Sequence, residues 1–278
     1  MTTADQLPAA CRRAVAHVTA LAAGDPLDPT LRVTLNFHPD RLAGSGLTLD
    51  AIARDGRYRS QFETGTSNGG LTAHPGGDRW EWERRMFGGA YDGAPASQRP
   101  KYGALNLRRR DVGGSPRFGS AHLRLRAETL RRTTFCFPDS AYAPTHFGAA
   151  ARMSLTALTG AWDGDPLDDY VEAQVHGSLV LDRDVEALVL DPCFVDTDVE
   201  RAAHRLGCPV EWHGGFRLDV DQLRRQPDYR GRQYVELGEA LARDGYLDPK
   251  AIGDAARTGR HDEQALKRVW HYVARFGR

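Results

Sequence analysis

The sequence predicts an α+β protein in which a strand-rich region fills the first two-thirds of the chain, with a helix before it and a helical C-terminal extension after it. Three observations predict this. Val171, Ala173, Val175 and Gly177 alternate with Glu172, Gln174, His176 and Ser178, the two-residue period of a strand. Residues 31–38 alternate in the same way, and beyond Pro192 the chain turns predominantly helical.

The opening helix covers 5–23, where Leu7, Cys11, Val15, Val18 and Ala22 recur at helical spacing; Asp25, Pro26, Asp28 and Pro29 end it. In the strand over 31–38, Val33, Leu35 and Phe37 share one face. Arg32, Thr34, Asn36 and His38 share the other, so the strand is expected to end in an exposed histidine. A short helix follows over 49–54, with Thr48 as its N-cap and Gly56 closing it. From 58 to 114 Gly, Ser, Asn and Pro recur so often that loop is expected, except for helical character over 79–87. Strands return at 102–107, 122–126 and 133–137, a helix is expected over 149–158, and a further strand covers 185–190. Helices are expected over 197–206, 220–224, 234–243, 249–258 and 262–276. The chain thus divides into an N-terminal helix (1–30), a core of single-domain size (31–192) and a helical region (193–278).

Charge is balanced, with 37 Lys+Arg against 37 Asp+Glu, so no basic excess points to sequence-independent nucleic-acid binding. The four cysteines, Cys11, Cys136, Cys193 and Cys208, are scattered, which fits reduced structural thiols and not a zinc ribbon or a redox pair. No metal site is expected. There is no run of about 18 apolar residues and no leader pattern at the N-terminus, from which a cytoplasmic protein without membrane partners is expected. Phosphate-loop, His-Glu-x-x-His, Gly-x-Ser-x-Gly and Gly-x-Gly-x-x-Gly signatures are absent.

What remains is a set of polar segments: FHPDR (37–41), SQFETGTSNGG (60–70), RPKYG (99–103), TFCFPDS (134–140) and YVEAQVHG (170–177). Glu172, Gln174 and His176 share one strand face, which is either a solvated face or one turned toward a ligand. In the second case the Glu172 carboxylate would stabilise positive charge developing on a sugar carbon, and Gln174 would orient a second substrate. His38 would bond ribose hydroxyls and Arg41 would pair a pyrophosphate; both also read as ordinary residues of a strand-end turn. Ser60, Thr64, Thr66 and Ser67 offer hydroxyls beside glycines, Gly65 among them, that permit close backbone approach, or they belong to a surface loop. Tyr102, Asp139 and Ser140 carry a weaker signal. A metal-dependent hydrolase using His38, Asp40, His74 and His176 is a distant alternative, because their spacing fits no metal signature.

FHPDR with the short helix and polar loop after it resembles the start of the ADP-ribosyltransferase superfamily. RFGSAHLRL (117–125) followed by RRTTFCFPDS resembles a strand pair in the toxin and phage head-protein members, and YVEAQVHG is similar to their late strand. The whole is also similar to a bacterial family of uncharacterised proteins. The resemblance, over roughly 31–192, implies split antiparallel sheets with flanking helices. It implies an NAD-dependent transferase, toxin-like, with NAD as substrate and Glu172 holding the ribose and stabilising the oxocarbenium as nicotinamide leaves. His38, Arg41, Ser60, Thr64, Gly65 and Tyr102 would then bind NAD, and Gln174 would face the incoming nucleophile. Position 174 departs from the Glu-x-Glu pair of arginine-directed members, which implies a different protein or nucleic-acid acceptor. An NAD glycohydrolase, or an inactive interaction module of the same fold, stands as the alternative.

Overall fold

The computed structural model describes residues 7–44, 46–65 and 71–278. Eight strands form its main sheet: β1 (Val33–Phe37), β2 (Lys101–Leu105), β3 (Ala121–Leu125), β4 (Thr133–Phe137), β5 (His146–Ala149), β6 (Val171–Val175), β7 (Val185–Leu190) and β8 (Val210–Trp212). Their order is β8-β7-β3-β1-β2-β6-β4-β5, antiparallel throughout except for the parallel β7–β8 pair. The sheet is split in the middle. β1 and β2 pair only at Val33↔Leu105 and Thr34↔Ala104, whereas β2 and β6 pair along their whole lengths.

The two faces of the sheet follow from the period of two. Val33, Leu35, Phe37, Leu105, Leu123, Phe135, Ala173 and Val175 form the main apolar core. Leu49 and Ile52 of α2 (Thr48–Asp55) and Val199, Ala202 and Ala203 of α4 (Asp198–Ala203) pack into it. The opposite face carries Thr34, Asn36, Tyr102, His122, Thr134, Glu172 and Gln174, neighbours by register. Helix α1 (Ala9–Leu21) and α3 (Asp78–Met86) cover one half of it through Cys11, Ala14, Val18, Trp82 and Met86.

The polar side chains of β1 hold a loop where β1 and β2 part. Gly114 N donates to Thr34 Oγ1 (2.8 Å), Ser115 N to Asn36 Oδ1 (3.3 Å), and Asn36 Nδ2 to the carbonyls of Val112 (2.9 Å) and Gly119 (3.3 Å). The C-terminal helices pin the same loop from outside. α5 (Arg232–Leu241), α6 (Pro249–Arg257) and α7 (Glu263–Phe276) share a second apolar core, and Trp270 Nε1 of α7 lies 3.0 Å from the carbonyls of both Pro116 and Arg117.

Two expectations are corrected. Residues 149–158 are not a helix: the backbone N–H groups of Met153 and Ser154 donate to Asp25 and Ala23, and Ala149 and Arg152 bond each other, leaving only the 3-10 turn Leu155–Ala157. These long-range partners outweigh the local helical pattern. His38 is not exposed but half-buried, edge-on to Trp270 at 5.0 Å, and burial beside Arg41 and Lys267 pushes its pKa down to about 3. In addition, β8 draws a segment from beyond residue 192 into the sheet.

Gly119, at φ 155°, sits so close to β1 that a Cβ there would lie 2.0 Å from the Phe37 carbonyl carbon. Gly119→Ala is expected to lower stability by more than about 3 kcal/mol, read from the urea midpoint. His271 is buried, and neither ring nitrogen has a hydrogen-bond partner among the described residues. Burial beside Arg117, Arg230, Lys267 and Arg268 pushes it down to about 2. Below about pH 6.5 the unfolded chain therefore takes up a proton that the folded chain does not, and stability is lost as pH falls. His271→Phe should show a smaller loss of urea midpoint than the parent between about pH 7 and pH 5.

Candidate active site

The register that begins Val33↔Leu105 and Thr34↔Ala104 would, continued by two residues, bring Asn36 opposite Tyr102. Both line a cavity instead, with Arg79 of α3, Ser115 of the loop, Asp139 and Ser140 after β4, and Glu172 of β6. The cavity thus occupies the split between the two halves of the sheet.

Glu172 reaches it from the middle of β6 with only 5% of its surface exposed, so the strand face it shares with Gln174 and His176 is not a solvated one. Its carboxylate is held from both sides. Ser140 Oγ donates to Oε2 (2.8 Å) and Gln174 Nε2 donates to Oε1 (2.9 Å). Arg79 Nη1 donates to Ser140 Oγ (2.8 Å), and its guanidinium lies 4.0 Å from the centre of the Tyr102 ring. One turn along α3, Glu83 accepts from the Tyr102 hydroxyl (2.8 Å) and from Arg99 Nη1 (2.5 Å). Tyr170 donates its hydroxyl proton to Asp139, which caps Ala141 N at 2.7 Å.

Burial and the nearby Asp139 raise the pKa of Glu172, while Arg79, Gln174 and Ser140 act against the rise. Burial pushes Glu83 up to about 7 despite Arg99. It also raises the Cys136 thiol beside Glu172 well above its usual range, which leaves the sulfur protonated and a poor nucleophile. One oriented carboxylate, with a cation two bonds away, is suited to stabilising positive charge that appears during a reaction. Among the described residues no group of three or more His, Cys, Asp or Glu could hold a metal ion. His38, Asp40, His74 and His176 lie apart: His38 against Trp270, Asp40 on Arg257, His74 exposed, and His176 beside Tyr91.

The family model described as a protein of unknown function (DUF3626) matches residues 32–161 and 151–275, from the start of β1 to the end of α7. The chain belongs to the DUF3626 family. No curated protein matches it. Among solved structures it is similar to two of DarT from Thermus sp. 2.9, one in complex with carba-NAD+ and one with NAD+. These are 13% and 12% identical, cover 67% and 68% of this chain and 96% and 97% of theirs, and give a TM-score of 0.39 each.

In this DUF3626 protein the residues singled out from sequence separate into two groups. Glu172, Tyr102, Asp139 and Ser140 line the cavity, and Gln174 stands directly behind Glu172. The others do not line it. Ser60 is buried as the N-cap of the short helix Gln61–Thr64, bonding Glu63 N and the Ala96 carbonyl; its neighbour Gln61 does reach the cavity. Thr64 and Gly65 are exposed at the end of that helix, and Thr66 and Ser67 lie outside the described residues. Arg41 is half-buried, its carbonyl accepting from Thr48 N and Oγ1.

Arg79 and Asn36 were not singled out, although Arg79 carried a signal. The buried stripe of α3 is Arg79, Trp82, Glu83 and Met86, so two charged residues occupy positions that spacing assigns to the interior. Arg79→Met removes the cation that favours the ionised form of Glu172. The Glu172 carboxyl, followed by carbon-13 NMR titration, should titrate above the usual carboxylate range in the parent and higher still in the variant.

Proposed function

We propose that this DUF3626 protein cleaves the nicotinamide–ribose bond of NAD and transfers ADP-ribose to a macromolecular acceptor, with Glu172 as its catalytic carboxylate. The observation that carries this reading is the placement of Glu172: buried, held by hydrogen bonds from Ser140 and Gln174, and facing a cavity where the sheet splits. The resemblance of YVEAQVHG to the late strand of ADP-ribosyltransferases points the same way.

The chemistry asks little else of the protein. As the C1′–N bond breaks, its electron pair goes to the pyridinium nitrogen and nicotinamide leaves neutral. The ribosyl carbon becomes oxocarbenium-like, and a carboxylate fixed near it lowers the barrier without having to reorganise. Tyr102, with Arg79 stacked on its ring, would form a wall against a planar ring. Gln174, wholly buried, is placed here as a group that positions Glu172 and not as one that meets the acceptor.

Purified protein incubated with NAD should release nicotinamide, and Glu172→Gln should lower that rate by about 100-fold or more while circular dichroism stays unchanged. Turnover surviving the substitution would overturn the assignment. Mass spectrometry of candidate acceptors separates transfer, which leaves an ADP-ribose adduct, from hydrolysis, which leaves none.

A further inference from the structure

Glu172 stands at one end of a longer series of hydrogen bonds along the polar face of the sheet. Gln174 Nε2 lies 2.9 Å from Glu172 Oε1, Thr134 Oγ1 is 3.0 Å from Gln174 Oε1 and 2.9 Å from His176 Nε2, and His176 Nδ1 is 2.6 Å from the Tyr91 hydroxyl. All five side chains are buried.

With Glu172 ionised, the form that Arg79 favours, the donor inventory of these groups fixes the direction of each bond. An ionised carboxylate only accepts, so the Gln174 amide N–H faces Glu172 and its carbonyl oxygen faces Thr134. That oxygen only accepts, so Thr134 directs its single proton to it and must accept from His176 Nε2. His176 is therefore the Nε2–H tautomer, and its bare Nδ1 accepts the Tyr91 proton. Neutrality of the ring fits its surroundings: it is desolvated, it faces the cations Arg132 and Lys101, and its pKa falls to about 3. Phe87 packs edge-on to it at 5.1 Å, which holds the ring in place.

We propose that Thr134, His176 and Tyr91 form a one-way hydrogen-bond chain that fixes the Gln174 carboxamide with its N–H toward Glu172, and so act as positioning residues for that carboxylate. The role in turnover rests on the reading of Glu172 given above. An amide is nearly symmetric in shape, and rotated by half a turn Gln174 would set its oxygen against the carboxylate, acceptor against acceptor. In its Nε2–H form His176 removes that symmetry, since it supplies a donor to Thr134, whose single proton then goes to the Gln174 oxygen. Bonds aligned in one direction also polarise one another.

Nitrogen-15 NMR of the full chain with labelled histidine is expected to find His176 as the Nε2–H tautomer; the Nδ1–H form in the parent protein would overturn the chain. Thr134→Val takes away the acceptor, so the Nδ1–H form should appear and kcat should fall about tenfold with KM within about twofold, while Thr134→Ser restores both. A Thr134→Val protein that keeps the Nε2–H tautomer and the parent kcat would equally overturn it. If the parent does not turn over NAD, the catalytic reading fails on its own. The tautomer of the parent, which needs neither turnover nor a folded variant, then upholds or overturns the chain by itself.

Discussion

The interaction on which the rest depends is the pairing of β1 with β2, which stops after two residues. Two neighbouring strands that part inside a sheet leave a gap, and the gap must be filled by groups able to satisfy backbone amides and carbonyls. Thr34 and Asn36 fill it from β1 by bonding the loop around Gly114, and the side facing β2 remains as the cavity. The cleft is thus a consequence of strand geometry and of two polar side chains on one edge, and its other walls are brought up to it.

A second consequence is that the polar face of β6 can be buried. A carboxylate, a carboxamide and an imidazole inside a protein are tolerated when each is hydrogen-bonded, and here the flanking strands and helices supply partners at every step. Arg79 extends the same logic from α3: it bonds Ser140, stacks on Tyr102 and offsets the charge of Glu172 and Glu83. The helix that supplies Arg79 also seals the face with Trp82 and Met86, so charge balance and solvent exclusion come from one element.

Much of this was legible in the residues. Strands over 133–137 and 185–190 match their expected bounds, and the alternation around Glu172 correctly placed it, Gln174 and His176 on one face. What was not legible depends on distant partners. Residues 149–158 have helical spacing, but Ala23 and Asp25 claim their amides, and β8 is too short to show a period. The histidine of FHPDR looked exposed because Trp270, which covers it, lies 232 positions later in the chain. Arg79 was hidden by its type: a charged residue in a helix suggests solvent until its neighbours on the stripe are counted.

β8 bears on how the chain can be divided. It is three residues long, carries Glu211 and Trp212, and lies on the free side of β7, whose Leu188, Val189 and Leu190 pair with it. A fragment ending near residue 192 would keep every cavity residue and lose this cover, presenting an apolar strand edge able to template pairing between molecules. The C-terminal third of the chain thus covers the outer edge of β7 through β8 and supports the cleft loop through Trp270. A fragment that keeps both the cavity and the cover on β7 would have to be cut beyond Trp212.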